Sequence, residues 1–221
     1  MTNSFKALSA LLSYPTDELK DAAGVIREVL YAEALAPRWA LDQSRILLTE
    51  IETLDLYELQ ERYVFLFDRT RSLSLHLFEH VHGEARDRGQ AMVDLRALYE
   101  QSGLDPDARE LPDFLPMFLE YLSTRPVDEA RALLAEPLTV IAALKERLAR
   151  RKTPYAAVLR IIEAIAGVAP LAKELDALRK APDDDPSDLE ALDALWEDRP
   201  VTFGPDSDLG DAACKGGEAR S

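Results

Sequence analysis

From residue 5 to beyond residue 160, apolar residues return at intervals of three and four and almost never alternate, which restricts the chain to helices. Phe5, Leu8, Leu11 and Leu12 make one stripe, and Leu19, Ala22, Ile26 and Leu30 the next. Pro15 and Thr16 part them: proline disfavours helix at the residue before it, and a threonine hydroxyl can cap the free amides of the helix that follows. Pro37 opens a third helix to about Leu54. Asp55 and Glu58 have capping-box spacing and start a fourth, carrying Leu59, Tyr63, Leu66 and Phe67. With Asp113 as N-cap, Pro116 falls at the third helical position, where its missing amide hydrogen costs little, so the sequence predicts a helix over 114–122. Pro126, Pro137 and Pro154 each suit a first turn, giving helices near 126–135, 138–151 and 154–166, the last stopped by Gly167. The expected fold class is all-α, a single helical bundle of roughly eight to ten helices.

Composition divides the chain at about residue 175. Residues 1–175 are expected to form the helical domain and 176–221 an acidic, partly disordered tail, because thirteen acidic residues there face only five basic ones. Ser187 and Glu190 form a second capping box, predicting a short amphipathic helix near 187–197 with Leu189, Leu192, Leu195 and Trp196 on one side. The net charge of −15 repels nucleic-acid phosphates and anionic membranes and favours a basic or neutral partner. A single cysteine, Cys214, forbids an intrachain disulfide and suits a reducing compartment. The longest apolar runs, such as Leu138 to Leu144, fall far short of the ~20 residues of a membrane span, and Ala7 to Leu12 lacks the flanks of a signal peptide. A protein neither secreted nor membrane-spanning is expected.

All three histidines, His76, His80 and His82, lie within seven residues. On a helix His76 and His80 share a face, and with Glu79 and Glu84 they have the chemistry to hold zinc, so a metal-dependent helical hydrolase is one reading of the segment. Against it, such sites draw ligands from several separated helices, whereas every histidine here comes from one short run. Neither a bound metal nor a catalytic residue is expected.

A longer pattern surrounds these histidines. It runs from Tyr63 through Leu66-Phe67-Asp68-Arg69, then Ser74 to Glu84, then Arg86-Asp87-Arg88-Gly89-Gln90 to Leu95, and on through Glu110-Leu111-Pro112-Asp113, Leu115-Pro116 and Leu119 to Leu122. Ala191 to Ala194 and Trp196-Glu197 add to it in the tail. Over about two thirds of the chain this resembles the NarJ-type nitrate reductase assembly chaperones. Ala85 stands where that family's motif carries a serine. The resemblance implies an all-helical cytoplasmic chaperone with no reaction of its own and no stably bound cofactor. It would hold the catalytic subunit of respiratory nitrate reductase, chiefly by its N-terminal peptide, while the molybdenum cofactor and an iron–sulfur cluster are inserted, before membrane attachment.

On that reading an interhelical groove takes a basic, apolar client segment: negative charge speeds encounter and apolar burial supplies affinity. Tyr63, Phe67, Leu77 and Phe78 are the candidates for its wall, with Asp68, Glu79 and Glu84 placed to meet basic side chains. His76, Arg86, Asp87 and Arg88 complete the expected contact segment. Arg86 and Arg88 also offer charge to a pyrophosphate, but no glycine-rich phosphate loop accompanies them. His80 and His82 titrate near pH 6 to 7 unless perturbed, so they are expected either to tune client release or to fix the turn at Gly83.

Overall fold

A computed structural model describes residues 2–81, 85–104 and 110–183, the second stretch without side chains 85–87. The helices are α1 (Asn3–Leu12), α2 (Asp17–Glu33), α3 (Arg38–Gln43), α4 (Arg45–Thr53), α5 (Leu56–Tyr63), α6 (Ala85–Gln101), α7 (Leu115–Ser123), α8 (Val127–Leu134), α9 (Leu138–Arg150), α10 (Ala156–Ala166) and α11 (Ala172–Lys180). Only Ser44 separates α3 from α4, which together fill the interval assigned to one helix after Pro37. Among the described residues there is no strand, only an isolated antiparallel bridge between His76 and Phe114. The chain is all-α, as its periodicity requires.

The local signals act as expected at most helix ends. The Thr16 hydroxyl accepts the Leu19 amide at 3.3 Å, and the Asp55 carboxylate accepts that of Tyr57 at 2.8 Å. Gly167 ends α10 at φ 67°, a left-handed conformation that a side chain would strain. Two ends differ. Val64–Asp68 widens into a π-turn after α5, and α7 begins after Phe114 with Pro116 as its second residue. Asp113 is therefore not the N-cap of α7. It is fully buried and its carboxylate faces the 76–80 segment instead.

The core forms around α10, which buries Val158, Leu159, Ile161, Ile162 and Ile165 and packs on α1, α3, α8 and α9. A helix that is apolar on so many sides belongs at the centre of a bundle. The α1 helix lies between α2 and α7. Its free N-terminal amides are capped from a distance, since Asn3 and Ser4 donate to the two Glu33 oxygens at 2.9 and 2.8 Å. Burial raises the Glu33 carboxyl, but these hydrogen bonds outweigh it and hold it below its ordinary value. Glu33→Gln is expected to cost about 1 kcal/mol, the usual worth of a cap. A depressed carboxylate stabilises above its unfolded pKa and loses that contribution as pH falls through the folded one. The gap between wild type and variant in urea titrations should thus close below about pH 4; a gap that persisted there would refute the cap.

The sequence boundary after residue 175 falls inside α11. Leu175 is buried, Leu178 packs beside it on Ala142 and Ala143 of α9, and the Arg147 guanidinium donates to the Leu178 carbonyl at 2.9 Å. Beyond the helix, Asp183 meets Arg150 and Arg151 at 3.0 Å each. Composition misplaced this edge because α11 is charged on its outer faces and carries only a narrow apolar stripe. The chain clusters into two units, residues 1–187 and 188–221. The second unit, and the whole of the tail helix expected near 187–197, lie outside the described residues. No helix among those described is long and apolar enough to cross a membrane.

Candidate functional site

The segment between α5 and α6 is shaped by Asp113 rather than by helical hydrogen bonding. The Leu77 amide donates to the Asp113 carbonyl at 3.0 Å, and the Leu115 amide to the Leu75 carbonyl at 2.9 Å. The Phe78 amide donates to Asp113 Oδ2 at 2.9 Å, while His76 Nδ1 stands 3.3 Å from Oδ1. Tyr99 of α6 fastens the other side of this crossing, its hydroxyl donating to the Pro112 carbonyl at 2.8 Å. Only a short 3-10 turn, Leu77–His80, fits between these restraints. The helix on which His76 and His80 were to share a face does not form, because His76 is extended in its bridge with Phe114.

That turn projects Leu77, Phe78, His80 and Val81 onto one wall of a half-open groove of about 410 Å3. Val140 and Thr139 from α9 with Pro137 just before it, Leu178 and Ala177 from α11, Phe118 from α7 and Leu95 from α6 supply the rest, with Glu136 and Glu174 as its acidic members. Leu77 is buried and Phe78 half-buried, whereas Val81 is 56% exposed, so the wall runs from core to solvent. The volume lies within the roughly 300–1,000 Å3 of ordinary ligand clefts and admits a few side chains of a larger partner.

The other expected contact residues are distributed differently. Tyr63 and Phe67 are 4% and 6% exposed and form an interior cluster, with ring centroids 4.9 Å apart and Tyr155 edge-on to Phe67 at 5.1 Å. The Tyr63 hydroxyl donates to the Leu12 carbonyl at 3.0 Å, and burial pushes its phenol far above the usual range. These two rings do not reach the groove. Asp68 is exposed; local desolvation raises its carboxyl while His76 nearby opposes the shift. Glu79 is half-buried in the 3-10 turn and also acts on His76. Arg88 is half-buried on α6. Arg86 and Asp87 lie on the same helix with side chains outside the described residues, as do His82 and Glu84 entirely.

The two described histidines have opposite electrostatics. The Asp113 hydrogen bond raises His76 above its ordinary value against the opposing effect of burial. Burial lowers His80, whose Nε2 donates to the Ser74 carbonyl at 2.8 Å, with Arg147 adding to the depression. Protonation of His80 is therefore disfavoured relative to a free imidazole, and its ring hydrogen-bonds the backbone of the turn. Among the described residues no three histidine, cysteine or carboxylate side chains are grouped to hold a metal.

Sequence reasoning missed the wall made by α9 and α11 and the organising role of Asp113. The spacing of Glu174, Ala177 and Leu178 by three and four marks one face of α11, but nothing local tells that this face turns toward residues a hundred positions earlier.

Fold and site together define a helical protein built around an apolar groove. The chain belongs to the nitrate reductase delta subunit family, which its residues 16–160 match. It is 41% identical over 210 residues to the nitrate reductase molybdenum cofactor assembly chaperone NarJ of Escherichia coli strain K12, covering 93% of this chain and 87% of that one. The probable assembly chaperone NarW of the same strain is 45% identical over 150 residues, 67% of this chain and 64% of its own. The probable NarJ of Bacillus subtilis strain 168 is 33% identical over 166 residues, 72% and 85% respectively.

Proposed function

We propose that this protein is a dedicated, non-catalytic chaperone of the catalytic subunit of a respiratory nitrate reductase. It holds the client's N-terminal segment in the groove while molybdenum cofactor and iron–sulfur cluster enter the client, in the cytoplasm and before membrane attachment. The observation that carries the reading is the groove itself, an apolar, half-open surface formed by the 77–81 turn against α9 and α11. A monomer that exposes a contiguous apolar cleft of this kind has a use for it in binding. An amphipathic helix laying its apolar face into a groove is the recognition mode that suits such walls. Relatives named as nitrate reductase molybdenum cofactor assembly chaperones supply the client class.

Metal and cofactor chemistry belong to the client on this reading. His76 and His80 are already engaged by Asp113 and the Ser74 carbonyl, which leaves the histidine segment a structural and binding element rather than a ligand set. The test is a pull-down with the tagged full chain from nitrate-respiring cells. Recovery of a large molybdoenzyme subunit, lost when that subunit's N-terminal segment is deleted, is expected. Recovery independent of that segment would overturn the groove assignment, and stoichiometric zinc with phosphatase activity would replace the chaperone by the hydrolase reading.

A further inference from the structure

The groove carries two carboxylates that the fold does not neutralise. Several exposed helical acids stand one turn from an arginine, as Glu100 beside Arg96 at 2.9 Å, Glu129 beside Arg125 at 2.6 Å, and Asp176 beside Arg179 at 2.8 Å; others, such as Asp21 and Glu28 on α2, have no ion pair among the described residues but do not line the groove. Glu136 and Glu174 have no ion pair among the described residues. Their helical neighbours at three and four positions are leucine, alanine, proline, threonine and valine, so no local cation is available to either. They approach the groove from different elements, Glu136 just before α9 and Glu174 in the first turn of α11. The Leu171 amide donates to the Thr139 hydroxyl at 3.1 Å, tying the starts of these two helices together, so both carboxylates enter the cleft lining from neighbouring helix starts. On the turn, burial and the nearby buried cation Arg147 disfavour protonation of His80. The groove is thus apolar along its walls and negative where α9 and α11 begin.

We propose that Glu136 and Glu174 are the specificity-determining residues of the groove, selecting a client segment in which lysine or arginine closes one end of an apolar helical face. The inference rests on the groove being the client site. Two carboxylates on the groove margin with no ion pair among the described residues reward a basic side chain brought to that margin, while an acidic or neutral segment gains only the apolar contact. Discrimination therefore comes as much from refusing acidic segments as from attracting basic ones. The dipole of α11 already favours Glu174 in its first turn, so that residue has a structural role too. Stability and selectivity must be read separately.

The experiment is calorimetric titration of the full chain with two synthetic peptides that share one amphipathic apolar face. One carries two lysines at one end and the other two glutamines in their place. The wild-type chain should bind the lysine peptide about three- to tenfold more tightly, the range that one or two half-exposed ion pairs supply. Glu136→Gln with Glu174→Gln should bring both peptides to the glutamine-peptide affinity without loss of thermal stability beyond what α11 accounts for. Asp21→Asn with Glu28→Gln removes the same charge from exposed positions on α2 and should leave the preference intact. Equal loss of preference in that control would assign the effect to net charge and overturn the proposal, as would a preference that survives in the Glu136 and Glu174 variant. If the wild-type chain binds neither peptide, the groove is not the client site and the chaperone assignment of this cleft falls first.

Discussion

Asp113→Ala should be strongly destabilising, costing about 3 kcal/mol, the lower range for breaking a buried charged pair. The side chain is completely buried, and one oxygen takes the Phe78 amide at 2.9 Å while the other faces His76 at 3.3 Å. Its removal leaves an amide without an acceptor and a half-buried imidazole without its carboxylate, and both costs fall on the folded state. For a domain of this size the loss corresponds to a fall in Tm of about 10 °C. Asp113→Asn keeps an acceptor for Phe78 and should cost less than half as much.

The pH dependence identifies the pair. Because Asp113 raises His76, the imidazolium stabilises the fold fully below its unfolded value near 6.5, and that contribution is lost as pH rises through the raised folded value. The deficit of Asp113→Ala relative to wild type should accordingly be larger at pH 6 than at pH 9. His76→Gln should flatten the difference. Urea titrations at the two pH values decide the matter, and a deficit that is the same at both, or that grows toward pH 9, would show that Asp113 does not stabilise the His76 imidazolium.

That Asp113 organises the site shows where sequence reasoning stops. The caps at Thr16 and Asp55 and the stop at Gly167 were legible because each acts within four residues of itself. Asp113 has the same local appearance, a polar residue just before a proline-containing helix, but its partners are 35 and 37 positions away. Only the antiparallel crossing of 75–77 with 113–115 decides that it turns inward. Of the four apolar residues expected at the groove wall, Leu77 and Phe78 line the cleft, while Tyr63 and Phe67, in the same pattern, belong to the aromatic interior. Spacing cannot separate the two cases, since a stripe of apolar residues looks alike whether its neighbour is the core or a cleft. Glu136 and Glu174 carry no motif and stand out only once α9 and α11 are placed beside the 77–81 turn.

Blocking the groove from its exposed wall should abolish client capture without touching stability, and Ala177→Trp does this most cleanly. Ala177 is exposed on α11 and lines the cleft, so a tryptophan there meets no buried neighbour in its own helix and directs its ring into a volume of about 410 Å3. An indole fills a large part of the space that a client leucine or phenylalanine would take, and apolar burial is the term that supplies affinity here. Phe78→Ala attacks the opposite wall by removing an aromatic ring that lines it. Truncating such an anchor costs 2 kcal/mol or more, about a 30-fold loss of affinity. Phe78 also packs against the core, so its variant should lose some thermal stability as well as binding, whereas Ala177→Trp should keep the wild-type Tm within a few degrees. Calorimetric titration with a peptide from the client's N-terminus, alongside thermal unfolding of each variant, separates the two effects. Unchanged affinity in Ala177→Trp would mean that the client lies elsewhere on the surface. Affinity lost in both, with only Phe78→Ala destabilised, is the result expected of a groove whose two walls share one occupant.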